Sequence, residues 1–146
     1  LLPLADVVTP NIPEAEAILK RAIHTLTDME EAARAIHAMG AKNVLLKGGH
    51  REEDATDILF DGRTCQRLTA ARVPTKNTHG TGCTFSAALT AFVAQGLDLP
   101  EAMVEAKRFI HLGIVHDLQL GHGHGPTNHF AYQQQKGECE VDCVWA

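Results

Sequence analysis

The stretch Asn77-Thr78-His79-Gly80-Thr81-Gly82-Cys83-Thr84 sets two glycines around a threonine and puts a cysteine directly after them. An apolar, alanine-rich run, Phe85 to Ala94, follows with the spacing of a buried helix. The glycines therefore fall at a helix N-terminus, where backbone N–H groups lack partners within the helix and the dipole favours anions. Gly80, Thr81, Gly82 and the N–H of Cys83 form a candidate anion cradle, with phosphate as the anion. A helix N-terminus also favours a thiolate. Cys83 could then take a proton from a substrate alcohol or attack as a nucleophile; the residue types rank the base first and leave the nucleophile open. The ordinary reading competes with both. Gly-x-Gly ahead of a helix is common, and a free cysteine is often just a small buried residue.

Three further places could assist phosphoryl transfer, which needs cations on the phosphates, a magnesium ion, an anion cradle and a base. Lys47-Gly48-Gly49-His50 lies at the C-terminal end of an expected buried strand, where ligands of open α/β sheets bind. Lys47 could reach a phosphate there; the alternative is a surface lysine before a turn. Asn11-x-x-Glu14 also follows a strand end, and a carboxylate at Glu14 could hold Mg2+ through water. By itself that pair is more simply a capped first turn. Lys107 is a lone cation on a mostly apolar helix, by default a snorkelling side chain, otherwise a phosphate ligand. The histidines of Gly121-His122-Gly123-His124-Gly125-Pro126-Thr127-Asn128-His129, with Cys139 and Cys143, invite a zinc reading. Their spacing is irregular, and the glycines fit a loop closing over a pocket better.

The elements that must position these groups follow from the pattern. Leu4 to Thr9 reads as a strand ended by Pro10, and Asn11 caps a helix with Pro13 in its first turn. Met29, Ala32, Ala33 and Ile36 mark a helix from Asp28 to Met39 that Gly40 ends. Asn43 to Lys47 is a short apolar strand of the parallel-sheet type, so strand, helices and strand make a βαβ unit. Thr56–Phe60 and Thr64–Ala70 flank Asp61-Gly62 as a hairpin. Pro100 opens a buried helix from Glu101 to about Leu120. Residues 130–146 read as a polar, disordered tail beside a single domain.

The 146 residues, 45% hydrophobic and 21% charged, suit one soluble globular domain. A net charge of -5 argues against a general nucleic-acid partner. No apolar run reaches the roughly 18 residues a membrane helix needs. Four cysteines without a disulfide framework fit reduced thiols in a cytoplasmic protein. The chain opens on Leu1-Leu2-Pro3-Leu4 without a Met, which suggests a fragment.

Together the motifs resemble the hydroxymethylpyrimidine/phosphomethylpyrimidine kinase family of thiamine biosynthesis, within the ribokinase-like superfamily. The matching pieces are Leu4 to Asn11 with Glu14, Lys47-Gly48-Gly49-His50, Asp57 to Gly62, Thr78 to Thr84 with Ser86-Ala87-Ala88, Ala106-Lys107, and Gly123-x-Gly125-Pro126-x-Asn128-His129. The resemblance covers residues 1 to 129 and implies an α/β fold: the C-terminal half of a three-layer α/β/α sandwich, with a mostly parallel sheet and a β-hairpin. It implies that the Gly80-Thr81-Gly82 loop is the anion hole and that Cys83 takes the base position. It assigns Asn11 and Glu14 to magnesium and phosphates, and Lys47 and Lys107 to ATP. It implies a small pyrimidine alcohol, and then its monophosphate, as phosphate acceptor. The family is about twice this length, so the resemblance leaves the substrate-binding half outside the chain, and the tail after His129 outside the family. Pyridoxal or pyridoxine kinase, of the same fold, is the rival; a catalytically inactive nucleotide-binding or oligomerising fragment is the third reading. A central sheet cut in half bares an edge that invites pairing with another chain, hence a homo-oligomer.

Overall fold

In the computed structural model, residues 1–49, 55–120, 122–135 and 142–145 are described. His50, Gly121 and Cys139, named above, lie outside them. The chain divides into two compact units: Leu1–Thr69 with Asp142–Ala146, and Ala70–Val141.

The first unit holds a 3₁₀ turn at Leu2–Leu4, α1 (Ile12–Leu19), α2 (Leu26–Ala38), β1 (Val44–Leu46), β2 (Ala55–Phe60), β3 (Cys65–Ala70) and β4 (Asp142–Trp145). The expected strand over Leu4–Thr9 is reduced to isolated parallel bridges, Val8 with Val44 and Asn11 with Lys47. Val8 N–H donates to Asn43 O, Leu45 N–H to Val8 O and Lys47 N–H to Pro10 O. The bond that would complete this ladder needs an N–H at residue 10, and proline has none. α1 is capped by Asn11, as expected. α2 begins two residues ahead of Asp28. Thr25 is its cap, and Asp28 turns back as the reciprocal partner of a capping box.

The named strands form a sheet in the order β1-β2-β3-β4. β1 pairs β2 antiparallel, Val44 opposite Phe60 and Leu46 opposite Ile58. β3 pairs β4 antiparallel, Gln66 opposite Trp145 and Thr69 opposite Asp142. Among the described residues of this unit, the parallel pairings are the bridges of residues 8 and 11. Met29, Ala32, Ala33 and Ile36 of α2 pack with Val44, Leu46, Ile58, Phe60 and Cys65 as the core of this unit. Each large aliphatic side chain buried there contributes about 1.5–3 kcal/mol.

The second unit holds α3 (Thr81–Ala94), α4 (Leu99–Val115) and α5 (Ala131–Gln135). α4 packs against both α3 and α5. Its cap is Asp98, in a capping box with Glu101, so Pro100 falls inside the first turn. It stops at Val115, short of the expected end at Leu120. The Asp117 carboxylate just beyond accepts hydrogen bonds from Thr75 and Asn77, and Gln119 has a positive φ of 46°.

The expected disordered tail instead supplies α5 and the edge strand β4. Its glutamine run hid one aromatic anchor. Tyr132 sits edge-on to Phe92 and against Phe109, while its hydroxyl donates to Glu105. Asp142–Trp145 completes the open edge of β3.

Candidate active site

Gly80 is the N-cap of α3 in a left-handed conformation, φ 81°. Any residue with a Cβ would be strained there. Thr81 N–H donates to Thr78 O, and Thr84 N–H makes the first helical bond, to Gly80 O. Between them, the N–H groups of Gly82 and Cys83 have no acceptor among the described residues. They are the free donors that an anion needs at a helix N-terminus. Cys83 is a free, exposed cysteine. The buried-residue reading of it therefore falls, while Cys65 on β3 takes that role. Burial pushes the Cys65 thiol's pKa up, so it stays protonated.

The histidine loop braces this turn. His124 Nδ1 lies 2.9 Å from Lys76 O and His129 Nε2 lies 3.2 Å from Thr84 Oγ1. These imidazoles thus serve separate partners, and among the described residues no three His, Cys, Asp or Glu side chains group around a metal position. Asn77, whose side chain carried no role in the sequence reading, is buried at 6% exposure and joined to Asp117 and Gly125.

Lys107, on α4, is buried at 6% exposure, so it does not snorkel at the surface. One turn on, His111 has its pKa lowered, first by burial and second by the Lys107 charge.

In the first unit the structure brings Asn11, Glu14 and Lys47 together. Asn11 bridges Lys47. Asn11 N–H donates to Glu14 Oε2 at 2.8 Å, and Glu14 N–H donates to Asn11 Oδ1 at 2.8 Å. Both side chains thus cap α1, the simpler of the two sequence readings, yet Glu14 stays exposed with its second oxygen outside the box. Lys47 is half-buried at the end of β1. The next residue, Gly48, donates its N–H to Asp57 Oδ1 at 2.8 Å. Asp57 is buried on β2, a support whose role the sequence reading missed. Its signal was a carboxylate inside a strand that is apolar apart from Thr56; such a buried group must have donors nearby. Asp117 had no local signal, because its partners lie 40 and 42 positions away.

The fold first defines a class, the ribokinase-like small-molecule kinases. The chain superposes on the pyridoxal kinase of Staphylococcus aureus in complex with ADP with a TM-score of 0.93 at 35% identity, over 100% of this chain and 55% of that one. A Bacillus subtilis pyridoxal kinase, also with ADP, gives 0.85 at 44% identity, over 90% of this chain and 51% of that one.

Residues 1–128 match the phosphomethylpyrimidine kinase family, and the chain belongs to that family. It is 51% identical over 140 residues to the hydroxymethylpyrimidine/phosphomethylpyrimidine kinase of Haemophilus influenzae, covering 92% of this chain and 52% of the relative. The enzyme of the same name from Bacillus subtilis is 46% identical over 136 residues, covering 92% and 50%. The thiamine biosynthesis bifunctional protein ThiED of Geobacter sulfurreducens is 53% identical over 130 residues, covering 88% and 26%. The chain thus spans about half the length of the two monofunctional relatives. The likeness to the S. aureus fold covers the whole chain. The match to the phosphomethylpyrimidine kinase family ends at residue 128, which leaves the residues after His129 outside it.

Proposed function

We propose that this chain is the nucleotide and catalytic half of an ATP-dependent kinase of thiamine biosynthesis. Its acceptors would be hydroxymethylpyrimidine and then the resulting monophosphate. The observation that carries the reading is the start of α3: two N–H donors without acceptors among the described residues, Gly82 and Cys83, beside an exposed thiol. Preorganised donors of this kind stabilise charge developing on a phosphoryl group in flight.

In this mechanism Cys83 removes the proton of the acceptor hydroxyl, and Gly80 to Cys83 hold the transferring group. Lys47 and Lys107 hold the nucleotide phosphates. The donor set fits magnesium, which keeps several waters and takes one or two carboxylates; Glu14 offers one exposed carboxylate, with Asn11 fixing its direction. When bound, the ion would neutralise charge on the phosphates. The acceptor is small, so the reading needs neither nucleic acid nor a membrane. A cytoplasmic setting suits a reduced Cys83. Among the described residues no helix is long and apolar enough to cross a membrane.

Cys83→Ala should lower turnover by about 10²–10⁴-fold, the usual contribution of a positioned base, while nucleotide affinity stays. Full turnover in that variant would remove Cys83 from the role. The assay belongs on this 146-residue chain. Nucleotide binding by the wild type without turnover would instead indicate an inactive binding or oligomerising module.

A second reading is pyridoxal phosphorylation. Its support is the likeness to S. aureus pyridoxal kinase in complex with AMP-PCP and pyridoxal, TM-score 0.90 at 35% identity. Side-by-side assays with the two alcohols separate the readings: turnover of pyridoxal alone would overturn the pyrimidine assignment.

A further inference from the structure

We infer that Asn77 and Asp117 are positioning residues for the glycine loop: a buried amide joined to a carboxylate, which together set the direction in which the chain runs into Gly80. This rests on the kinase reading above. Asn77 Nδ2 donates to Asp117 Oδ2 at 2.8 Å, and Asn77 Oδ1 accepts from Gly125 N–H at 2.9 Å. The same Asp117 oxygen accepts from Thr75 Oγ1 at 2.8 Å, and Thr75 Oγ1 accepts from Asn77 N–H at 3.1 Å. The backbone continues the brace, with His79 N–H donating to Gly125 O at 3.3 Å and His79 bridging Pro126.

The contact at Gly125 is close. A Cβ there would stand 2.6 Å from Asn77 Oδ1, so only glycine lets the two segments of the brace meet. The amide is thus tied on both sides, just ahead of Gly80. Beyond it the chain turns through the positive φ of Gly80 and presents the Gly82 and Cys83 N–H groups. Because donor orientation sets the value of such a cradle, a shift of the Asn77 anchor moves the cradle without touching any ligand.

The pair has a definite polarity. Asp117 only accepts, so it demands the NH₂ face of Asn77, which turns Oδ1 to Gly125 N–H. Asn77→Asp sets two carboxylates against each other. Asp117→Asn trades the charged oxygen shared by Thr75 Oγ1 and Asn77 Nδ2 for a neutral amide, whose NH₂ face would oppose both donors. The exchange of both, Asn77→Asp with Asp117→Asn, restores a complement. The new amide at position 117 would then donate to the new carboxylate at position 77 and to Thr75 Oγ1. That carboxylate would accept from Gly125 N–H.

The test uses the full chain and three variants: Asn77→Asp, Asp117→Asn and the double exchange. Turnover and amide NMR of Gly82 and Cys83 under titration with inorganic phosphate are both read. Each single change should lower kcat by about 10²-fold, the usual effect of a misplacement near 1 Å, with little change in KM for ATP. The double exchange should recover most of the loss. The phosphate-induced shifts of the Gly82 and Cys83 amides should shrink in the singles and return in the double. Singles with unaltered amide shifts, or a double no better than its singles, would overturn the inference. If the wild-type chain shows no turnover with either alcohol, the kinase reading fails, and the amide titration still decides the positioning role.

Discussion

The two units hold their candidate groups in opposite ways. In residues 1–69 the groups are closed on themselves. Asn11 and Glu14 satisfy each other, Lys47 N–H is spent on Pro10 O, and Gly48 N–H on the buried Asp57. In residues 70–141 the brace is closed but the tip is open. Asn77, Asp117 and Gly125 are tied together, while the Gly82 and Cys83 donors beyond them have no acceptor among the described residues. The first arrangement fixes where a cation or carboxylate stands before any ligand arrives. The second leaves N–H groups whose hydrogen bonds an anion would complete.

The same contrast separates two glycines, and breaking them gives the largest stability effect. A Cβ on Gly48 would lie 1.8 Å from Thr56 O, a backbone atom that cannot rotate away. Gly48→Ala should force the end of β1 off β2, break the bond to Asp57 and destabilise by on the order of 3 kcal/mol. A Cβ on Gly80 would meet nothing within 4 Å, so Gly80→Ala should cost only the positive-φ strain, about 1–2 kcal/mol. Urea unfolding of the two variants measures both; equal losses would erase the distinction between a close-approach glycine and a conformational one.

Lys47→Ala should come next, weakening nucleotide binding by about tenfold, or 1.4 kcal/mol, with unfolding unchanged. Calorimetric titration with ATP checks it, and an unchanged affinity would count against a phosphate role. Glu14 separates capping from cation binding. Asn11→Ala removes the cap and should cost about 1 kcal/mol of stability. Glu14→Gln keeps the reciprocal hydrogen bond, since glutamine also serves in a capping box, but loses the charge. Its stability should hold within a few tenths of a kcal/mol, while the magnesium concentration for half-maximal turnover rises. A Glu14→Gln enzyme with unchanged magnesium dependence would leave Glu14 as a helix cap alone.

How much of this was legible in the sequence depended on distance along the chain. The α1 cap, the hairpin turn at Asp61-Gly62 and the start of α3 at the glycine loop are local chemistry, and the structure has each where the residues place it. Direct readings failed where a partner far along the chain decided the outcome. α4 ends early because Asp117 is drawn to Thr75 and Asn77. Helix α5 forms where Tyr132 finds Phe92 and Phe109, and residues 142–145 form a strand because they find the edge of β3. The Leu4–Thr9 strand failed for a different reason. Its apolar pattern is that of a strand, but the missing N–H of Pro10 thins its ladder to bridges. Among the candidate groups, Asn11, Glu14, Lys47 and Cys83 could be singled out from residue type and spacing along the chain, whereas the supports Asp57 and Asp117 could not, since their donors come from other segments.

The smallest effect concerns the charge buried in α4. His111 is depressed below the ordinary histidine value of about 6.5, first by burial and second by Lys107. The unfolded chain therefore binds a proton at His111 before the folded chain does. Stability tied to neutral His111 is fully present above that ordinary value and is lost as pH falls through it toward the lower folded one. His111→Gln removes the titration, so the variant should lose less stability than the wild type as pH falls from about 7.5 to about 5.5, a window that spans the ordinary histidine value. Urea midpoints at both pH values give the comparison, and parallel losses would show that His111 titrates alike in both states. Lys107→Gln adds the second arm. With the neighbouring charge gone, the His111 ring should titrate at higher pH by NMR. A ring that titrates where it did before would mean that burial alone sets the shift, and that the Lys107 charge is directed away from His111.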